Sequence, residues 1–191
     1  MQTSTVPRHL RLDCQTARQY RVRPKAMRQA LLIIDIQPSF SPPSWLVEGA
    51  RSLLGLMPSV ATVERHDESR TPFARQLGWH PGPSDDSLVA ADIVFIKHGY
   101  CPSAETIACL KSLEPDRTLV CGLQTETCVL AAGFALFDAG LRPTLIADLT
   151  VGSSLDRSGQ LGIGLWRHHF RHVTSSREIR CCPTIKATLA G

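Results

Sequence analysis

The residues best suited to chemistry lie around one run, Leu119-Val120-Cys121-Gly122-Leu123-Gln124-Thr125-Glu126-Thr127-Cys128-Val129. It passes from an apolar strand through a glycine-led turn into an apolar helix that opens at a cysteine. Helix starts expose unpaired N–H groups and carry partial positive charge, and both favour a thiolate over a thiol. Cys128 is therefore a candidate nucleophile. Two further polar residues close apolar runs: Asp35 after Ala30-Leu31-Leu32-Ile33-Ile34, and Lys97 after Ile93-Val94-Phe95-Ile96. Brought together, the three have a coherent chemistry. Lys97 would stabilise the thiolate, and Asp35 would accept the thiol proton and later hand it to a leaving amine. Gly122 gives the backbone room to turn, so that amides near Gln124 and Cys128 can face a tetrahedral oxyanion. Each residue alone has a plainer reading: a turn aspartate, a lysine reaching water, a core cysteine. The joint placement at three strand ends is what favours chemistry.

The elements that must position these groups alternate along the chain. Residues 30–35, 60–63, 91–97, 118–121 and 141–148 read as strands, with a short sixth at Val173. Residues 44–57, 72–77, 103–113, 127–139 and 155–170 read as helices, with Ser44 as a possible N-cap and Gly140 as a stop. Strand–helix alternation predicts an α/β fold, a three-layer, Rossmann-like arrangement around a mostly parallel six-stranded sheet. Ligands of such sheets bind beyond the carboxyl ends of the strands, where Asp35, Lys97 and Cys128 fall.

Asp35-x-Gln37-x-x-Phe40, a strand-terminal Lys97 and Gly122-x-x-Thr125-x-x-Cys128-Val129 together resemble the isochorismatase-like cysteine hydrolase superfamily, which includes nicotinamidases and N-carbamoyl amidases. The similarity covers roughly residues 30–173. It implies an Asp35–Lys97–Cys128 triad, an oxyanion hole from the amides of Gln124 and Cys128, a cis peptide at Leu123–Gln124, and self-association. It also implies hydrolysis of a small amide or carbamoyl C–N bond through a thioester, with no cofactor. Same-fold alternatives are vinyl ether hydrolysis without covalent chemistry and a non-catalytic binding or assembly protein. Nicotinamidases of the superfamily hold a metal with an Asp-x-His pair and a further histidine. This chain has Glu64-Arg65-His66-Asp67 instead, and His80, His98 and the group His168, His169 and His172 show no shared face with carboxylates, so a metal-free site is expected. Gln37, Phe40, Arg65, His66, Trp79, Tyr100 and Thr127 are the candidate substrate-binding residues, with Arg65 suited to a substrate carboxylate.

The bulk numbers fit one domain. The 191 residues are 43% hydrophobic and 20% charged, and seven irregularly spaced cysteines with no C-x-x-C suggest neither a disulfide framework nor a zinc ribbon. Cys181 and Cys182 read as an incidental surface pair. The net charge of +4 is concentrated in residues 1–28, which hold seven Arg and Lys against Asp13. This arm, with its short alternating pieces at residues 9–12 and 20–23, reads as a packing or assembly extension ahead of a hydrolase domain at 29–191. A transit peptide or a nucleic-acid arm are the weaker readings. The near-neutral body gives no reason to expect nucleic acid as a partner. No apolar run reaches the roughly 18 residues of a membrane span, and no secretory signal follows Met1, so a cytoplasmic protein acting on a small molecule is expected.

Overall fold

A computed structural model describes residues 27–82 and 85–181; the expectations for the basic arm and for Cys182 lie outside them. Six strands form one sheet in the order β3-β2-β1-β4-β5-β6, and every pairing is parallel. They are β1 (Gln29–Ile34), β2 (Ser59–Glu64), β3 (Ile93–Lys97), β4 (Arg117–Leu123), β5 (Pro143–Val151) and β6 (Val173–Thr174). The chain winds outward from β1 to β3 and then crosses back to lay β4 on the other side of β1. The sequence order therefore reverses between β1 and β4, and such a point opens a crevice at the carboxyl ends.

The central strand shows why the sheet is covered on both faces. All six residues of β1 are buried. Leu31 and Ile33 share a core with Leu46, Val47 and Ala50 of α1 (Ser44–Arg51) and Ile179 of α6 (Ser176–Cys181). Ala30, Leu32 and Ile34 face the opposite core. There they meet Leu110 of α3 (Ala104–Ser112), Ala132 and Leu136 of α4 (Leu130–Asp138), and Ile163 and Trp166 of α5 (Gln160–His169). Each buried Leu or Ile contributes about 1.5–3 kcal/mol, so the unbroken apolar run needs helices on both sides. The short helix α2 (Phe73–Leu77) lies between β2 and β3 in sequence. At the far edge, Ile93, Val94 and Ile96 of β3 are exposed.

Several boundaries differ from the sequence reading, each for a local reason. The helix expected over 44–57 ends at Arg51, because Gly55 takes a left-handed φ of 76° and Leu54 bridges to Met57. Ser44 is inside that helix, whose N-cap is Pro43, and makes no capping bond there. The helix expected from 155 starts at Gln160. Asp156 draws the preceding loop into a turn, accepting from Ser158 and from the Leu161 amide at 2.7 Å. Strand β5 continues past Asp148 to Val151, and its register against β4 shifts between Val120 and Gly122. Asp148 stands in that irregular stretch, where its carboxylate accepts from the Ser176 amide and hydroxyl at 2.8 and 2.6 Å. The helix α6 that follows was not expected.

Candidate active site

Four strand ends build the rim. Asp35 follows β1 with a positive φ of 50°, a conformation open to aspartate more readily than to bulkier residues, and its side chain is fully buried. Its Oδ1 accepts from the Thr62 hydroxyl at 2.8 Å. Lys97 ends β3, where it is paired in register with Glu64 at the end of β2. The Lys97 Nζ lies 2.8 Å from Asp35 Oδ2, 2.8 Å from Glu64 Oε2, 2.6 Å from the Gly99 carbonyl and 3.5 Å from Cys128 Sγ. Lys97, Asp35 and Glu64 are all buried.

The β4 side is made by backbone. Gly122 has φ 118°, and a Cβ there would overlap the Ile34 carbonyl, so only glycine lets β4 pass so close to β1. The Leu123–Gln124 peptide is cis. The chain then enters a π-helical turn, Thr125–Val129, in place of the α-helical start expected at 127; regular helix begins only at Leu130. Thr125 pins this turn to β5 through Thr150 at 2.8 Å, and Glu126 accepts from the Ser153 amide at 2.8 Å. Gly162 brings α5 against the backbone of Thr125 and Glu126, where a Cβ would collide.

Between these flanks lies a cavity of about 370 Å³. Its walls include Phe40, Phe73, Trp79, Tyr100 and Leu123, and Asp35, Glu64, Gln124, Thr127 and Cys128 form its polar part. The only charged side chains among the described lining residues are the two carboxylates.

The electrostatics overturn the expectation of an acidic thiol. Burial first, and the Asp35 charge second, push the Cys128 thiol up to about 12, with Lys97 pulling the other way. Cys128 is the fourth residue of the π-helical turn, and neighbouring strands surround it with negative charge that the local sequence does not reveal. Burial also raises the Asp35 and Glu64 carboxyls against the opposing pull of Lys97. Burial alone would lower the Lys97 ammonium, but the charges of Asp35, Cys128 and Glu64 outweigh it and raise the group. The cluster is thus a thiol whose ionisation burial opposes, beside an ammonium shared by two carboxyl groups.

Of the candidate substrate-binding residues, Phe40, Trp79, Tyr100 and Thr127 line the cavity. Gln37, Arg65 and His66 do not. Gln37 is buried beneath the rim, exchanging hydrogen bonds with the Glu64 backbone at 2.7 and 3.0 Å and donating to Asp85. The Arg65 guanidinium pairs with the exposed Asp86 at 3.3 Å and stands outside the cavity lining. His66 stacks on His80 with centroids 4.5 Å apart and faces Glu68. The residues that the sequence reading missed are Thr62 and Glu64, and Phe73, Pro81, Ser153 and Ser154 of the lining. Thr62 and Glu64 carried a signal: polar residues two apart in an apolar strand share one face.

The fold and rim define a class: a parallel α/β protein with Asp, Lys and Cys converging at the sheet's switch point. Residues 29–178 match the family model described as the Isochorismatase domain, and the chain belongs to that family. Its fold is similar to that of an isochorismatase-like hydrolase from Alkaliphilus metalliredigens (14% identity, TM-score 0.68, covering 81% of this chain and 98% of that one). It is likewise similar to N-carbamoylsarcosine amidase from Thermoplasma acidophilum (20%, 0.65, 78% and 97%) and to a pyrazinamidase of Pyrococcus horikoshii in complex with zinc (18%, 0.66, 78% and 99%). Comparison with curated protein sequences gives no significant match.

The zinc in that last relative invites a fit test. Among the described residues, no three His, Cys, Asp or Glu side chains converge as a metal site. His66 and His80 stack at an interplanar angle of 19°, which aims their in-plane nitrogens along near-parallel lines. Lys97 engages Glu64 through Oε2, leaving Glu64 Oε1 and His66 Nδ1 as two buried, unpartnered atoms, fewer than the three donors of a protein metal centre. This arrangement does not fit a metal centre. No helix among the described residues is long and apolar enough to cross a membrane.

Proposed function

We propose that the chain hydrolyses a small amide or carbamoyl C–N bond through a thioester on Cys128. The observation that carries this reading is the Lys97 ammonium, 3.5 Å from Cys128 Sγ and 2.8 Å from Asp35. Asp35 takes the thiol proton as the sulfur attacks the carbonyl carbon, so the negative charge moves from carboxylate to sulfur while Lys97 stays beside both. The raised thiol makes this transfer part of the attack rather than a step before it. The amides of Gln124 and Cys128 receive the oxyanion. Collapse of the tetrahedral adduct breaks the C–N bond, and Asp35 returns its proton to the departing nitrogen. Water then gives a proton to Asp35, attacks the thioester, and releases the acid and the thiol.

The walls narrow the substrate. Aromatic side chains suit a flat apolar body, and a lining whose charges are both negative disfavours a substrate carboxylate. A neutral or cationic aromatic amide fits best. Self-association follows from the resemblance alone, and sedimentation velocity reads it.

The test is an ammonia-release screen over small amides and carbamoyl compounds, with intact-protein mass spectrometry to catch the acyl adduct. Cys128→Ala is expected to lose roughly 10⁴-fold or more in turnover while remaining folded. An alanine variant that retains activity would eliminate the thioester and favour non-covalent ether hydrolysis.

A further inference from the structure

Glu64 is a second carboxylate on the lysine of the rim, and its placement has a consistent geometry. An ammonium has three donors. Around Lys97 Nζ they meet Glu64 Oε2 at 2.8 Å, the Gly99 carbonyl at 2.6 Å and Cys128 Sγ at 3.5 Å, while Asp35 Oδ2, also 2.8 Å away, is an ion-pair partner outside hydrogen-bond geometry. The sulfur thus receives one of the three donors, and Asp35 is left with the charge. When Asp35 becomes neutral by accepting a proton, its hold on the ammonium weakens. Glu64 and Gly99 still hold two donors, and the third stays on the sulfur.

The carboxylate is itself held. Gln37 clamps the Glu64 backbone from both sides, and parallel pairing sets Glu64 opposite Lys97. Thr62, two residues earlier on the same face of β2, holds the other oxygen of Asp35. One strand face thus supports both partners of the lysine. We infer that Glu64 is a positioning residue: it keeps the Lys97 ammonium charged and aimed at Cys128 while Asp35 carries the proton.

The inference rests on the proposed thioester reaction for its effect on rate, but its electrostatic part can be read without any substrate. The groups that face the ammonium and sulfur are Asp35 beyond β1, Glu64 on β2, Lys97 on β3, His98 and Tyr100 in the loop after β3, and Cys128 after β4. Replacing Glu64 by glutamine leaves the other five in place and removes one negative charge.

The experiment compares wild type, Glu64→Gln and Glu64→Asp in two assays. With an amide substrate found by the screen, Glu64→Gln is expected to lower kcat about tenfold or more with KM changed less than about threefold. Glu64→Asp, which keeps the charge on a shorter stem, falls between it and wild type. In the second assay, iodoacetamide labelling of Cys128 is followed against pH by mass spectrometry. The labelling midpoint should fall by roughly 0.5–1 pH unit in Glu64→Gln and stay near wild type in Glu64→Asp. Loosened packing would also ease ionisation of the buried thiol, so Glu64→Asp is the control. It disturbs the packing but keeps the charge, and its midpoint stays near wild type only if charge is what acts.

An unchanged kcat, a rise in KM with kcat intact, or an unmoved midpoint in Glu64→Gln would each overturn the inference. If Glu64→Gln does not fold, Glu64→Asp decides, and a wild-type kcat there overturns it. A wild type that neither turns over amides nor forms an adduct would sink the proposed reaction, while the labelling midpoints would still report whether Glu64 controls the charge at Lys97.

Discussion

On the β1–β2–β3 flank of the cavity, Thr62, Asp35, Lys97 and Glu64 converge through side-chain contacts of 2.8 Å. Across the cleft, the β4 flank offers only a glycine, a cis peptide and a five-residue π-helical turn before the sulfur. One flank holds charge and the other holds shape. The charged flank tolerates small movements of a side chain but not the loss of a partner, because each buried ion is stable only while compensated. The backbone flank is the reverse: Thr125 and Glu126 fasten its turn from behind, and no atom can be added at Gly122. A nucleophile set between them takes its proton chemistry from the first and its direction from the second.

The sharpest way to break this contrast is Lys97→Met. It leaves Asp35 and Glu64 buried together without their ammonium, so a loss of about 3–5 kcal/mol is expected in urea denaturation, with no measurable turnover. Retained stability would mean that the carboxylates are already neutral and that the flank is not ionic. Next in size is Gly122→Ala on the other flank. Its Cβ would meet the Ile34 carbonyl at a φ that alanine rarely adopts, and a loss of about 2–4 kcal/mol is expected although no charge changes. Thr62→Val, nearly isosteric, removes one hydrogen bond to a buried carboxylate. It should cost about 1.5–3 kcal/mol and reduce kcat more than it raises KM.

The smallest effect lies outside both flanks, at Asp156→Asn in the loop before α5. Hydrogen bonds from the Leu161 amide and from Ser158 hold the Asp156 carboxyl below its ordinary value of 3.8. A depressed acid stabilises the fold above its unfolded value and loses that contribution as pH falls through the folded one. The variant should therefore melt slightly earlier than wild type near neutral pH, and the difference should close as the pH drops below 3.8. A gap that persists at low pH would mean that Asp156 acts by shape alone.

The charged flank was largely legible before any coordinates. Asp35 and Lys97 each end an unbroken apolar run, and an apolar run that stops at a charge announces both a buried strand and its rim. Glu64 was missed because Arg65-His66-Asp67 behind it made the whole stretch look like a polar loop. The strand in fact continues one residue further. Arg65 was misjudged for a related reason: its partner, Asp86, lies 21 residues away, and sequence proximity to a strand end does not say where a long side chain goes. The thiol was misread most instructively. A helix start is a local feature visible in sequence, while burial and the Asp35 charge come from other strands and outweigh it. Of the backbone flank, Gly122 could be seen, but not the π-helical turn that replaces the expected helix start.

Asp35, Glu64, Lys97 and Cys128 stand 29, 33 and 31 residues apart, each at the close of a different strand. No fragment of the chain shorter than the span from Asp35 to Cys128 carries all four, and no single local refolding event can restore the set. Turnover is therefore a strict gauge of complete assembly, one that will vanish in partly folded, truncated or permuted forms even when circular dichroism still reports abundant helix.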